Sequence, residues 1–204
     1  DDLLDEWHRK DDNLEKIVNF TGTFNIDFKL AEDGYLPFPK NSFDMVMSHD
    51  VLEHLHDSPR DLLNDLCELL KPDGLLFITV PNAVNIKKRI NVLRGRTNLP
   101  NYDSYYWYPG QWRGHIREYV KNDLELLSQY LGLEILELHS CHHMLHMVPP
   151  KIRPIYLALT KIFSGWRDSW LLVARKPHNW TPKKALPEGE FNKVMGKVSP
   201  YYRQ

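Results

Sequence analysis

The chain has 204 residues, 42% hydrophobic and 26% charged, enough for one domain with a sizeable core. A formal net charge of −1 excludes a global field that recruits nucleic acid or membrane, so any such partner must be held by a local patch. Two cysteines do not suggest a disulfide framework, these residues show no signal-peptide pattern and no apolar run long enough for a bilayer span, and a reducing, cytoplasmic compartment is the expectation.

Residues 1–16 are polar and read as helical or frayed. Phe24, Ile26, Phe28 and Leu30 alternate with polar or small residues, the period-two signal of a strand, which Glu32, Asp33 and Gly34 end. LPFPKNSFD (36–44) carries two prolines and reads as a loop. FDMVMS (43–48) is a short apolar run that suits a buried parallel strand. Asp57, Ser58 and Pro59 open a helix, with Ser58 or Asp57 as cap and Pro59 in the first turn. Leu62, Leu63, Leu66, Leu69 and Leu70 recur at helical spacing around Cys67, which reads as core. Lys71, Pro72, Asp73 and Gly74 stop that helix, and LLFITV (75–80) is the next buried strand. Residues 84–119 break the rhythm with a basic segment, IKKRINVLRGR, and an aromatic one, NYDSYYWYPGQW. Asn122 and Asp123 cap a helix that runs to Leu131 and stops at Gly132. LEILEL (133–138) alternates as a strand, 149–163 is an apolar helical segment, WLLVA (170–174) is a final strand, and 176–204 is a polar, loose tail.

Strands alternating with helices specify an α/β layered sheet with parallel strands and crossover helices. Ligands of such sheets sit outside the carboxyl ends of the strands. Three segments converge there: Glu32 to Tyr35, Ser48 to Asp50, and Pro81 with Asn82.

The run LPFPKNSFDMVMSHDVLEHLHD, followed by LLNDLCELLKPDGLLFITVPN, resembles the second half of a class I S-adenosylmethionine-dependent methyltransferase of the bacterial small-molecule type. GHIREYVKNDLELLSQYLGLEILEL is similar to the family's later helix and sixth strand, and WLLVARKP to its last strand. The resemblance implies a Rossmann-like methyltransferase sheet, mostly parallel with an antiparallel last strand, over residues 1–177, with insertions at 84–119 and 140–169 and a polar tail at 178–204. It implies S-adenosylmethionine as cofactor and methyl transfer to a small molecule, sugar or lipid-linked glycan precursor. The chain departs from the pattern in two places. Asp73 and Gly74 stand where a glycine pair is usual. None of the ten glycines form a G-x-G, so the glycine-rich turn that approaches the cofactor has no counterpart, and the chain is expected to be N-terminally truncated. Two other readings follow: a non-catalytic methyltransferase-like binding module, and a metal-assisted RNA ribose 2′-O-methyltransferase.

On the resemblance, Glu32, Asp33 and Gly34 hold the adenine, whose exocyclic amine donates to a carboxylate. Ser48, His49 and Asp50 pass beneath the sulfonium, where polar oxygens suit a positive sulfur. Asp50 also suits the cap of a short helix starting at Val51. His54 or His115 is the candidate general base for an acceptor hydroxyl, because imidazole titrates near neutrality. Asp50, Glu53 and His54, with His115, also resemble the metal-ligand set of small-RNA 3′-end 2′-O-methyltransferases and of ubiquinone-pathway O-methyltransferases. Glu53 and His54 equally suit packing and hydrogen bonding, and no metal is assigned. Cys141, His142, His143 and His146 lie too close on one loop to enclose a zinc ion and are expected to edge the acceptor pocket. Lys87, Lys88, Arg89, Arg94 and Arg96 form a local cationic patch, with Ile86, Ile90 and Leu93 on one helical face. The patch reads as a grip on a phosphate, nucleotide-sugar or lipid head group, or as a solvated helix face. The expected partners are a small-molecule or glycan acceptor and a peripheral membrane or lipid contact through 86–96 or 149–163; nucleic acid is not expected.

Overall fold

The computed structural model describes residues 11–24, 26, 36–186 and 190–195. Four strands, β1 (Phe43–His49), β2 (Leu70–Pro81), β3 (Glu134–Cys141) and β4 (Ser169–Arg175), form one sheet in the order β1-β2-β4-β3. β1 and β2 are parallel, and β4 runs antiparallel to both β2 and β3. This is the expected sheet, mostly parallel with an antiparallel last strand. The helices are α1 (Asp11–Thr23), α2 (Arg60–Leu69), α3 (Ile86–Leu93), α4 (Tyr102–Tyr106), α5 (Lys121–Leu131), α6 (Arg153–Ile162) and α7 (Glu190–Met195). No helix among the described residues is long and apolar enough to cross a membrane.

Alternation along the strands puts Val46 and Ser48 of β1, Leu76, Ile78 and Val80 of β2, and Trp170, Leu172 and Ala174 of β4 on one face. The apolar stripes of α2 and α5 cover that face, and Leu63, Cys67, Leu124, Leu127 and Leu131 complete a single buried cluster. Cys67 is wholly buried, and burial pushes its thiol up to about 12, so it is core and not a nucleophile. α2 starts one residue later than its sequence signals suggest: its cap is Pro59, without a side-chain cap bond, and Ser58 Oγ accepts from the Arg60 N–H at 3.3 Å just ahead of the first turn. At α5 the cap is Val120, and the Asp123 carboxylate accepts the Val120 N–H at 3.1 Å. Gly132 ends α5 at φ 67°, a left-handed conformation that glycine adopts without a Cβ clash.

Three sequence expectations change. Lys71 to Gly74 does not separate helix from strand. β2 already pairs at Leu70 with Phe43, swings out, and resumes at Leu75 opposite Met45. Asp73 holds φ 62° in the excursion, a conformation in which glycine would be unstrained, and its N–H donates to Lys176 O. Phe24 does not open a strand. It closes the turn after α1, its N–H bonded to Thr21 O; residues 27–30 of the expected strand lie outside the described residues. The polar tail is not loose at its start. Lys176 is buried with its ammonium on Leu70 O at 2.6 Å and Asn41 Oδ1 at 3.0 Å. Trp180 Nε1 donates to Leu131 O, and the Lys183 backbone exchanges hydrogen bonds with the Asn64 carboxamide.

Asn82, wholly buried past the end of β2, organises both insertions. Its Nδ2 donates to Gly165 O at 2.9 Å and Arg167 O at 2.8 Å, its Oδ1 accepts from the Val84 N–H, and its N–H donates to Asp168 O at 2.8 Å. A carboxamide with every polar atom paired in the interior is costly to remove, because its partners are left unpaired. We expect Asn82→Ala to lower stability by about 2–4 kcal/mol in urea denaturation, far more than an exposed substitution such as Asn98→Ala.

Candidate functional site

Two clusters of ionisable side chains stand at the carboxyl ends of β1 and β2. The first grows from β1. The strand ends at His49, and Asp50 turns the chain at φ 49°, its N–H donating to Thr79 O on β2. The Thr79 hydroxyl touches both His49 Nδ1 and Asp50 Oδ1. A hydroxyl has one proton and a carboxylate only accepts, so Thr79 donates to Asp50 and accepts from the Nδ1–H of His49. That leaves the lone pair of His49 on Nε2. The other oxygen of Asp50 accepts from His143 Nδ1 at 3.0 Å, and the His49 and His143 rings stack at 5.0 Å. His143 is held there because its N–H and that of Met144 both donate to the Asp168 carboxylate.

The second cluster is buried more deeply. A short 3-10 turn, Leu52–His54, follows Asp50. The Glu53 carbonyl accepts from the N–H groups of Ile116 and Arg117, at 2.6 and 3.3 Å, which brings the loop before α5 back over the turn. His115 therefore meets His54 edge to face at 4.9 Å. His54 Nδ1 donates to Arg113 O at 2.9 Å, and its Nε2 lies 4.0 Å from Glu53 Oε1. Glu53 is 1% exposed and its Oε2 has no hydrogen-bond partner among the described residues. Burial, then the nearby Asp50 charge, raises its carboxyl above the usual range. His115 Nδ1 donates to Glu118 Oε1 at 2.9 Å, and Lys88 bonds the second oxygen of Glu118. The Glu118 hydrogen bond raises His115 above an ordinary histidine. Burial works to raise Glu118, but the bonds from His115 and Lys88 outweigh it and hold the carboxyl below its usual value. This cluster opens on a cleft of about 640 Å³ lined by Thr97, Asn98, Leu99, Trp112, His115 and Glu118 among others. Gly114 lies so close to the Trp112 ring that a Cβ would come within 2.2 Å of it.

Of the expected site residues, His54 and His115 come together, and Ser48, His49 and Asp50 share one strand end. Glu32, Asp33 and Gly34 lie outside the described residues. The four candidate metal ligands divide. Glu53, His54 and His115 have ligand atoms within 4.8 Å of one another, whereas Asp50 groups with His49 and His143. Cys141, His142, His143 and His146 do not converge: His142 bonds Thr160 and lies 3.6 Å from Asp168, while His143 turns to Asp50. Thr79, Glu118 and Asp168 were missed. Glu118, three residues after His115, had a local signal in HIREY; Thr79 and Asp168 act through pairings of distant segments.

The strand end also bears on a cofactor. Ser48 is 3% exposed on the core face of β1, its hydroxyl without a partner among the described residues, while His49 and Asp50 after it present an imidazole and a half-open carboxylate. The Asp50 carboxylate with the His49 Nε2 lone pair favours positive charge at this strand end and fits a ligand carrying a cation and hydrogen-bonding atoms, as S-adenosylmethionine does.

A family model described as a methyltransferase domain matches residues 6–138. An uncharacterized methyltransferase of Schizosaccharomyces pombe is 40% identical over 74 residues, 36% of this chain and 24% of that protein. The mitochondrial arginine-hydroxylase NDUFAF5 of Rattus norvegicus is 46% identical over 46 residues, 22% of this chain and 13% of that protein. The chain thus spans a quarter or less of these curated relatives. The crystal structure of a candidate methyltransferase from Bacillus halodurans C-125 matches with a TM-score of 0.50 at 20% identity, covering 82% of this chain and 80% of that one, a likeness of fold. With the family model spanning well over half its residues, and the sheet order and motifs in agreement, the chain belongs to the class I S-adenosylmethionine-dependent methyltransferase family.

Proposed function

We propose that the protein transfers a methyl group to a hydroxyl of a small molecule, sugar or lipid-linked glycan precursor bound in the cleft beside His115. One observation carries this reading: a histidine tied through Nδ1 to a half-buried glutamate, on the wall of an open cleft, one turn from the strand end that suits the cofactor. When bound, S-adenosylmethionine supplies an electrophilic methyl group on a positive sulfur, and Ser48, His49 and Asp50 would hold it. Glu118 fixes the tautomer of His115, so that Nε2 is the atom left to take the acceptor's proton. His54, with Nδ1 bound to Arg113 O, packs against that ring and orients it. Lys88 keeps Glu118 ionised, which preserves the pair. Alignment of acceptor and donor, with water kept out, supplies most of the rate in such a displacement.

A second reading has its own observation. The buried Glu53 with an unpartnered oxygen, His54 and His115 offer three ligand atoms within 4.8 Å, a donor set suited to a divalent ion that polarises a hydroxyl.

The intact protein, incubated with methyl-labelled S-adenosylmethionine and low-molecular-mass extracts, is expected to pass label into a product. No calorimetric binding of the cofactor together with no labelled product would sink the proposal. His115→Gln is expected to lower kcat about 100-fold or more with little change in KM. The rising limb of the rate against pH is expected above the range of a free histidine, because Glu118 raises His115 and the base form is the active one. Glu118→Gln should move that limb to lower pH; an unmoved limb would remove His115 from the role of base. Exhaustive chelation separates the two readings. Full activity after chelation rejects the metal, and loss restored by manganese or zinc but not in Glu53→Gln supports it.

A further inference from the structure

A long stretch of each insertion carries charge of one sign. Residues 85–102 contain five lysines and arginines and no acid, and residues 144–167 contain four and again no acid, in a chain whose acids slightly outnumber its bases overall. Lys88 is paired with Glu118, and Arg153 and Arg167 donate to backbone carbonyls. Lys87, Arg94, Arg96, Lys151 and Lys161 make no ion pair among the described residues.

The helices in these segments also turn apolar side chains outward. α3 buries none of its residues, and Leu93 is 86% exposed. At roughly 100° per residue Ile86, Ile90 and Leu93 form one stripe, flanked by Lys87 on one side and Arg89 on the other. α6 does the same. Thr160 is buried, while Ile155 and Ile162 on the opposite stripe are 64% and 73% exposed. α3 and the turn that follows α6 share one cleft. Trp166, stacked on Phe163 at 4.3 Å just past α6, lines an apolar cleft of about 660 Å³ with Ile86, Ile90 and Leu93 of α3.

We propose that this face, α3 with the end of α6, docks the protein on an anionic lipid bilayer. Head-group phosphates satisfy the unpaired cations, and the aliphatic stripes with Trp166 reach the boundary of the acyl chains. A nucleic acid would match the cations but gain nothing from the exposed aliphatic side chains. A second copy of the chain would bring the same cations against themselves. Ala83 and Asn98 line both this cleft and the one beside His115. A lipid tail lodged in the first therefore presents its head to the second, which names a lipid-borne acceptor on the methyl-transfer reading above.

The test is co-sedimentation of the intact protein with phosphatidylcholine vesicles, with and without phosphatidylglycerol. Binding to the anionic vesicles only is expected, weakening as salt rises. Lys87→Glu with Arg94→Glu should weaken it more than about tenfold, and Leu93→Asp with Ile162→Asp should abolish it while circular dichroism stays unchanged. No sedimentation with anionic vesicles, or equal sedimentation of the Leu93→Asp, Ile162→Asp protein, overturns the proposal. Tight binding to homopolymer RNA without vesicle binding, or self-association removed by the same pair of substitutions, overturns it in favour of another occupant. No methyl acceptor enters the measurement, so failure here leaves the methyl-transfer reading standing.

Discussion

The buried carboxamide of Asn82 is the joint on which both ionisable clusters depend. Through Nδ2 and its backbone N–H it fixes residues 165–168, and so places the Asp168 carboxylate that receives the His143 and Met144 amides. His143 is thereby delivered to Asp50. On its other side the Asn82 carbonyl accepts from Asn85 Nδ2 and Lys88 Nζ, and Lys88 bonds Glu118, the partner of His115. One interior amide at the end of a parallel strand thus ties two insertions, distant in sequence, to a common edge. Such a knot is stable because every polar atom of the Asn82 carboxamide has a partner away from water.

The two clusters differ in how their charge is balanced. Around Asp50 the groups are half-open to solvent and share protons through Thr79 and His143, which suits contact with a polar, charged ligand. In the second cluster Glu53 itself is shut off from solvent, and a carboxylate with one unpartnered oxygen stores unfavourable desolvation next to two imidazoles. Stored desolvation of this kind is common where a protein handles protons or cations and rare in a purely structural core.

What the residues revealed in advance follows from the range of the signals. The strands read at 43–48, 75–80 and 170–174 were legible to within a residue or two, apart from the early start of β2, because apolar runs and turn residues are local. The Lys71 to Gly74 excursion read as a boundary because turn chemistry is visible in sequence, while the resumption of pairing opposite Met45 depends on the partner strand. Trp180 and Lys176 were hidden in a polar stretch; their anchors, Leu131 O and Leu70 O, lie far back in the chain. His115 and His54 were found through motif likeness. The dyad of Asp50 with His143 was not, because β1 and the segment after β3 approach each other only once the sheet is assembled.

Asp50 holds a left-handed backbone at the mouth of the sheet, where a side chain costs about 1 kcal/mol that glycine would not incur. The same position supplies the carboxylate that Thr79 and His143 address. Stability and chemistry therefore pull position 50 in opposite directions. Drift toward greater thermal resistance would favour losing the very group that makes this strand end reactive, so position 50 marks a trade-off between ruggedness and use.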